Sequence, residues 1–198
     1  MTDVLILAGG RGTRIKGLWD GPKCLVPVGG VPLLERLLNA VAPLKPQYVT
    51  LALGVKAPDV QRFVRKLCLH VVCCVDSRPH GTAAAVRRAV KGGYVGAPLL
   101  VLNGDTLPLY DLGALIAYHE SRIGAWATVA VTHDAVSWRD AYAGACVLSP
   151  EAVAEIVSDD LTNDLRAHLI GAHRFAVPDF LCVGTRDRFQ RAKEWQGG

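Results

Sequence analysis

The stretch Val4-Leu5-Ile6-Leu7-Ala8-Gly9-Gly10-Arg11-Gly12-Thr13-Arg14 joins a short apolar run to a glycine-rich, cationic turn. A run of branched side chains too short for a helix fits a strand buried on both faces, as in a parallel sheet. Working outward, residues 48–53, 69–75, 99–103 and 125–131 repeat this apolar pattern. Between them, residues 32–41, 58–67, 81–90 and 112–121 place apolar side chains three and four apart, the helical spacing. Pro32 and Pro58 suit a first helical turn. Such alternation predicts crossover units on a mainly parallel, mixed sheet: an α/β protein built as a three-layer α/β/α sandwich. In that architecture ligands bind beyond the carboxyl ends of the strands, so the segments after Leu7, Leu53, Val75 and Asn103 are where chemistry is expected.

Beyond Val131 the pattern changes. Residues 132–142 are mixed and largely polar, with Trp138; 143–148 read as a strand leading to a helix that starts at Pro150. A helical stretch at 161–169, strands at 173–177 and 180–183 and a helix at 186–195 complete the chain. No linker-like tract separates these pieces, so residues 1–198 are expected to form one domain.

The composition narrows the function classes. Of 198 residues, 51% are hydrophobic and 20% charged, the profile of a chain that folds rather than stays disordered. The net charge of +4 is too small to mark a nucleic-acid binder, although it leaves room for a local phosphate site. The first apolar run is short and lacks a basic start, so neither a signal peptide nor a membrane partner is expected. The six cysteines (24, 68, 73, 74, 146 and 182) lie mostly in apolar runs, which points to buried reduced thiols in a cytoplasmic protein. His168 and His173 have zinc-like spacing but no accompanying cysteine pair.

The first strand end carries the strongest chemical signal. Five glycines fall between Gly9 and Gly21, interleaved with Arg11, Arg14 and Lys16 and followed by Lys23. Glycines let backbone N–H groups approach an anion, and these cations supply the charge a triphosphate needs. The loop is neither a Walker A motif nor a complete dinucleotide fingerprint. After Val75, the turn through Pro79, His80, Gly81 and Thr82 offers small residues against which a flat base could lie. Asn103-Gly104-Asp105 sets a carboxylate at the mouth of the sheet, where it could hold Mg²⁺ and bridge it to phosphates.

These motifs, from Leu7 to Arg14, Pro22-Lys23, Pro79-x-Gly81-Thr82-Ala83 and Asn103-Gly104-Asp105, resemble the sugar-1-phosphate nucleotidyltransferases in order and spacing. The likeness continues through Ala143-Gly144 and Ser149-Pro150-Glu151 to Val183-Gly184-Thr185-Arg186-Asp187. It implies a Rossmann-like nucleotidyltransferase fold and transfer of a nucleoside monophosphate from an NTP to a sugar 1-phosphate or similar small phosphorylated acceptor, with release of pyrophosphate. Residues 1–131 would form the nucleotide-binding core, and 132–198 the acceptor side and C-terminal helices.

By the same resemblance, Arg14, Lys23 and Asp105 would be catalytic, with Asp105 binding Mg²⁺. Leu7, Ala8, Gly9, Gly10, Arg11, Gly12, Thr13, Pro79, Gly81, Thr82 and Gly104 would bind the nucleotide. Ala143 and Gly144 would border the acceptor.

Two departures stand out. The family usually places Asp two residues before the Gly of its last Gly-Thr motif, where this chain has Cys182, a poor Mg²⁺ ligand; Asp179 is the nearest substitute. The segment between Val131 and Ala143 is shorter than usual and lacks the family's Glu-Lys pair. Arg139 could replace the missing Lys, and Trp138 or Tyr142 could stack on a ring; a short surface loop with a packed Trp is an equal alternative. Two other functions therefore stay open: a nucleotide sensor without turnover, and a transferase to a non-sugar acceptor such as phosphocholine. The base and the oligomeric state are left undetermined.

Overall fold

A computed structural model describes residues 2–67, 71–78, 80–132, 142–167 and 172–195. The strands are β1 (Asp3–Leu7), β2 (Pro27–Val28), β3 (Val31–Pro32), β4 (Val49–Leu53), β5 (Val72–Val75), β6 (Leu99–Asn103), β7 (Thr106–Pro108), β8 (Ala127–Thr132), β9 (Tyr142–Leu148), β10 (Ala172–Val177) and β11 (Phe180–Cys182). The helices are α1 (Leu33–Val41), α2 (Ala57–Lys66), α3 (Thr82–Lys91), α4 (Leu112–Glu120), α5 (Pro150–Glu155), α6 (Leu161–Ala167) and α7 (Arg186–Glu194).

Seven strands form one sheet in the order β10-β8-β9-β6-β1-β4-β5. β1 lies between β4 and β6 and is parallel to both, and only β9 runs against its neighbours. The alternation along β1 explains the layers. Val4 and Ile6 enter one core with Leu34 and Leu37 of α1 and Val60 of α2. Leu5 enters the other with Val86 of α3, Ala152 of α5 and Leu165 of α6. Both faces are thus covered, which is why the strand reads as an unbroken apolar run. Each fully buried aliphatic side chain contributes about 1.5–3 kcal/mol.

The expected sandwich is the observed one, with element ends shifted by up to three residues, the largest shift being the start of β5 at Val72. Pro58 lies in the first turn of α2, whereas Pro32 ends β3 and precedes α1. Residues 68–70 and 168–171, which include Cys68, His168 and part of two expected elements, lie outside the described residues. The remaining cysteines are free thiols: Cys24, Cys74 and Cys146 are buried, Cys73 and Cys182 partly so. Among the described residues, no helix is long and apolar enough to cross a membrane.

The periodicity did not reveal the small ribbon that positions the site. After β6, the chain turns through Gly104 and Asp105 into β7, which pairs antiparallel with β11 and sets Cys182 opposite Thr106. The Val183 N–H donates to the carbonyl of Asp105 at 2.9 Å, anchoring that turn from the C-terminal segment.

Candidate active site

A cavity of about 330 Å³ opens beyond the carboxyl ends of β1, β4 and β6. Its lining brings together Leu7, Ala8, Gly9, Gly10, Arg11, Lys23, Gly81, Thr82, Gly104 and Asp105, all singled out from sequence. It adds Cys24, Ala52, Ala85 and Asn103. Asn103 is part of a quoted motif and Ala85 closes the small-residue turn after Val75; Cys24 and Ala52 carry no local signal, because a Cys or Ala in an apolar run reads as core.

Two glycines explain how the first loop is held flat. A Cβ on Gly54, just past β4, would fall 2.4 Å from the Gly9 carbonyl oxygen, and one on Gly104 would fall 2.8 Å from that of Leu7. The loop is therefore wedged between backbones on both sides. Hydrogen bonds hold the same approach: Ala8 N–H donates to Ala52 O at 2.8 Å, and Gly104 N–H donates to Leu7 O at 3.1 Å. Beyond the loop, the Trp19 indole N–H donates to Pro22 O at 2.9 Å, and Lys56 donates to the carbonyls of Asp20 and Gly21. These bonds tie down the approach to Lys23.

Lys23 and Asp105 form the electrostatic centre. Nζ of Lys23 is 2.5 Å from Oδ2 of Asp105, and their side chains are only 16% and 28% exposed. Oδ1 of Asp105 accepts from the Thr106 hydroxyl at 3.2 Å. A Cβ on Gly184 would lie 3.1 Å from Cys182 Sγ, 3.5 Å from Asp105 Oδ2 and 3.8 Å from Lys23 Nζ, so this thiol shares the neighbourhood of the pair. Sγ of Cys182 accepts from Gly184 N–H at 3.2 Å. Burial, reinforced by the nearby Asp105, pushes the Cys24 thiol up to about 12, so it stays protonated near neutral pH and is no nucleophile.

The wall opposite the glycine loop includes Gly81 and Thr82. Gly81 has φ +106°, and a Cβ there would fall 2.0 Å from the Asp159 carbonyl oxygen. The Thr82 hydroxyl accepts from Leu161 N–H at 2.9 Å, so it anchors the turn before α6. That turn is held from within by Asp164, 3% exposed, whose carboxylate accepts from Ser158 N–H at 3.1 Å and Ser158 Oγ at 2.7 Å. Nothing in the sequence marked this wall, because an acidic residue in a helix ordinarily reads as a solvated position.

Several expected residues sit elsewhere. Gly12, Thr13 and Arg14 follow the loop without lining the cavity; Thr13 and Arg14 are exposed. Ala143 is buried, and Gly144 backs onto Thr106. Tyr142 packs against the core beside Cys146, with its hydroxyl 3.9 Å from that sulfur. Asp179 pairs with Arg191 at 2.5 Å and does not line the cavity. Pro79, Trp138 and Arg139 lie outside the described residues.

The metal test rests on the donor set. Among the described residues, no group of three or more His, Cys, Asp or Glu side chains could cage an ion. Mg²⁺ commonly uses one or two carboxylates and completes its shell with phosphates and water. Asp105 alone fits an ion that arrives with a triphosphate.

Comparison with known proteins agrees with this geometry. Residues 4–183 match the MobA-like NTP transferase domain. The chain is 39% identical over 128 residues to a bifunctional protein GlmU of Mycolicibacterium paratuberculosis, covering 60% of this chain and 25% of that protein. It is 33% identical over 135 residues to a probable mannose-1-phosphate guanylyltransferase 1 of Oryza sativa subsp. japonica, covering 65% of this chain and 37% of the relative. The matches thus span about a quarter to a third of those relatives. HddC from Yersinia pseudotuberculosis, solved in complex with GMP-PN, superposes with a TM-score of 0.78 at 26% identity, covering 98% of this chain and 99% of that one. Matched over residues 4–183, nearly its whole length, the chain belongs to the MobA-like NTP transferase domain family.

Proposed function

We propose that this protein transfers a nucleoside monophosphate from an NTP to a sugar 1-phosphate, releasing pyrophosphate. The observation that carries the reading is the Lys23–Asp105 pair at 2.5 Å, set at the mouth of the sheet beside a glycine loop with Arg11. A carboxylate and an ammonium so close neutralise each other until a polyanion competes for the ammonium.

An acceptor phosphate oxygen attacks the α-phosphorus in line; the bond to the α,β-bridging oxygen breaks, and pyrophosphate departs with the electron pair. No covalent enzyme intermediate is needed, in keeping with a protonated Cys24. Arg11, the loop N–H groups and neighbouring Arg14 would bind the β and γ phosphates. Lys23 would move towards the α-phosphate as charge builds there. Asp105 would hold Mg²⁺, which when bound neutralises phosphate charge and the leaving pyrophosphate. Ala8, Gly9, Gly81 and Thr82 would border the nucleoside. The described free thiols suit a reducing cytoplasm.

The test incubates the protein with each of the common NTPs, Mg²⁺ and a panel of sugar 1-phosphates and phosphocholine, and measures pyrophosphate. Release with a sugar 1-phosphate is expected. Tight NTP binding without release across the panel would support a sensor instead, the reading favoured by Cys182 in place of a second carboxylate.

A further inference from the structure

A second cleft, of about 680 Å³, lies between α3 and the edge strand of the sheet. One wall is the stripe Ala84, Arg87, Arg88 and Lys91, half-buried at its first two positions and exposed at its last two; the opposite wall is Cys74 and Val75 of the edge strand β5, with His80, Tyr94, Gly92 and Asp159 around the rim. The stripe repeats at i, i+3, i+4 and i+7, the outward face of a helix whose Ala83, Val86 and Ala89 are buried.

The charge on this stripe is unbalanced within its own helix. Residues 82–91 contain no acid, and Arg87, Arg88 and Lys91 stand within three or four positions of one another. Like charges at that spacing weaken a helix. Favourable placement near the helix C-terminus offsets part of this, but it accounts for neither the cleft nor Arg87. Two acids neighbour these cations. Asp76 pairs with Arg88 at 2.9 Å, and Asp159, 81% exposed, lies 3.8 Å from Arg87. Lys91 forms no ion pair with a described residue.

We propose that this cleft is a regulatory site for a phosphate-bearing anion. Arg87, Arg88 and Lys91 would grip the phosphate, and Tyr94, 39% exposed, would face the rest of the molecule. The cleft has the volume of a small-metabolite site.

The site is wired to the nucleotide pocket through Arg87. Its guanidinium donates to the Ser158 carbonyl, and Asp159 next in the chain seats its own carbonyl against Gly81 while accepting from Ala83 N–H at 3.2 Å. An anion that draws Arg87 into the cleft loosens the wall that shapes Gly81 and Thr82. Binding there therefore weakens NTP binding, and by linkage NTP weakens the anion. The coupling rests on the nucleotide reading of that pocket; the anion site does not.

The test uses inorganic phosphate as the probe. Amide NMR titrations are run on the whole protein with a non-hydrolysable NTP held at saturation, at constant ionic strength set with NaCl. Saturable shifts are expected at residues 87–94, lost in the Arg88→Gln/Lys91→Gln double variant, which keeps Arg87 and the pocket wall. Phosphate should raise the NTP KM severalfold in the wild type with kcat unchanged, and leave the variant's KM unmoved. Shifts that do not saturate, that persist in the double variant, or that NaCl alone reproduces would overturn the site. Saturable shifts without a KM effect would overturn the coupling. A protein without turnover would fail the functional reading while the NMR result still decided the site.

Discussion

At the scale of single residues, two positions beside Asp105 test the proposed chemistry. On the proposed function, Lys23 would contribute a preorganised charge whose removal costs a reaction of this type about 10²–10³ in rate. Lys23→Ala and Asp105→Asn should each lower kcat by that order with the far-ultraviolet circular dichroism unchanged, and near-normal turnover would sink both roles. The thiol of Cys182 is the second position. It lies against the same Gly184 site as Asp105 Oδ2, and a soft neutral thiol is a poor partner for a hard cation. Cys182→Asp adds an oxygen donor there, so calorimetry with Mn²⁺ as the probe should show severalfold tighter binding in the absence of nucleotide; unchanged binding would mean that position 182 does not reach the metal. Both positions were legible in the sequence, because motif order names Lys23 and Asp105 and the same order exposes the departure at 182. The closeness of Gly54 to Gly9 was not. A lone glycine after a strand has many uses, and only the folded neighbour shows that a Cβ would collide.

At the scale of elements, what was legible follows segment length. Long runs such as α1, α3 and β6 carry enough residues to display a period of 3.6 or an unbroken apolar face. β2, β3 and β7 have two or three residues each, too few for any period; they exist because tertiary pairing supplies their partners. The packing of α4 on β8 makes a second kind of contact that sequence does not show. His119 of α4 is buried, with Nδ1 3.0 Å from the Thr128 hydroxyl of β8. Burial lowers its pKa below the ordinary value of 6.5, with nearby His173 adding to the effect and Glu120 opposing it. In the unfolded chain this imidazole takes up its proton first as pH falls. Its contribution to stability is therefore complete above about 6.5 and is lost on acidification through the folded pKa. Thermal melts should give a lower Tm at pH 5.5 than at 7.5, and His119→Gln, which can keep a hydrogen bond without titrating, should flatten that difference. An equal pH dependence in the variant would remove His119 as its source.

At the scale of the whole molecule, the arrangement of the two cores governs how the protein comes apart. The sequence expectation of one domain rests on the lack of a linker, and the way β1 divides its side chains offers a way to test it. Val4 and Ile6 belong to the core under α1, α2, α4 and α7, and Leu5, between them, belongs to the core under α3, α5 and α6. β6 divides in the same way, with Leu100 and Leu102 on one side and Leu99 and Val101 on the other. Neither helical layer can leave without exposing strands whose other face the remaining layer still holds, so the layers should melt together. Calorimetry should show a single transition whose calorimetric and van't Hoff enthalpies agree. Leu37→Ala in α1 and Leu165→Ala in α6 each empty a fully buried site, at a cost of about 2–5 kcal/mol. For a chain of this size each kcal/mol lowers Tm by roughly 2–4 °C. Both variants should shift the whole transition downwards without splitting it, although they lie on opposite faces of the sheet. A separate early transition in either one would mean that the layer carrying it unfolds alone, and the two cores would then be independent units sharing a sheet.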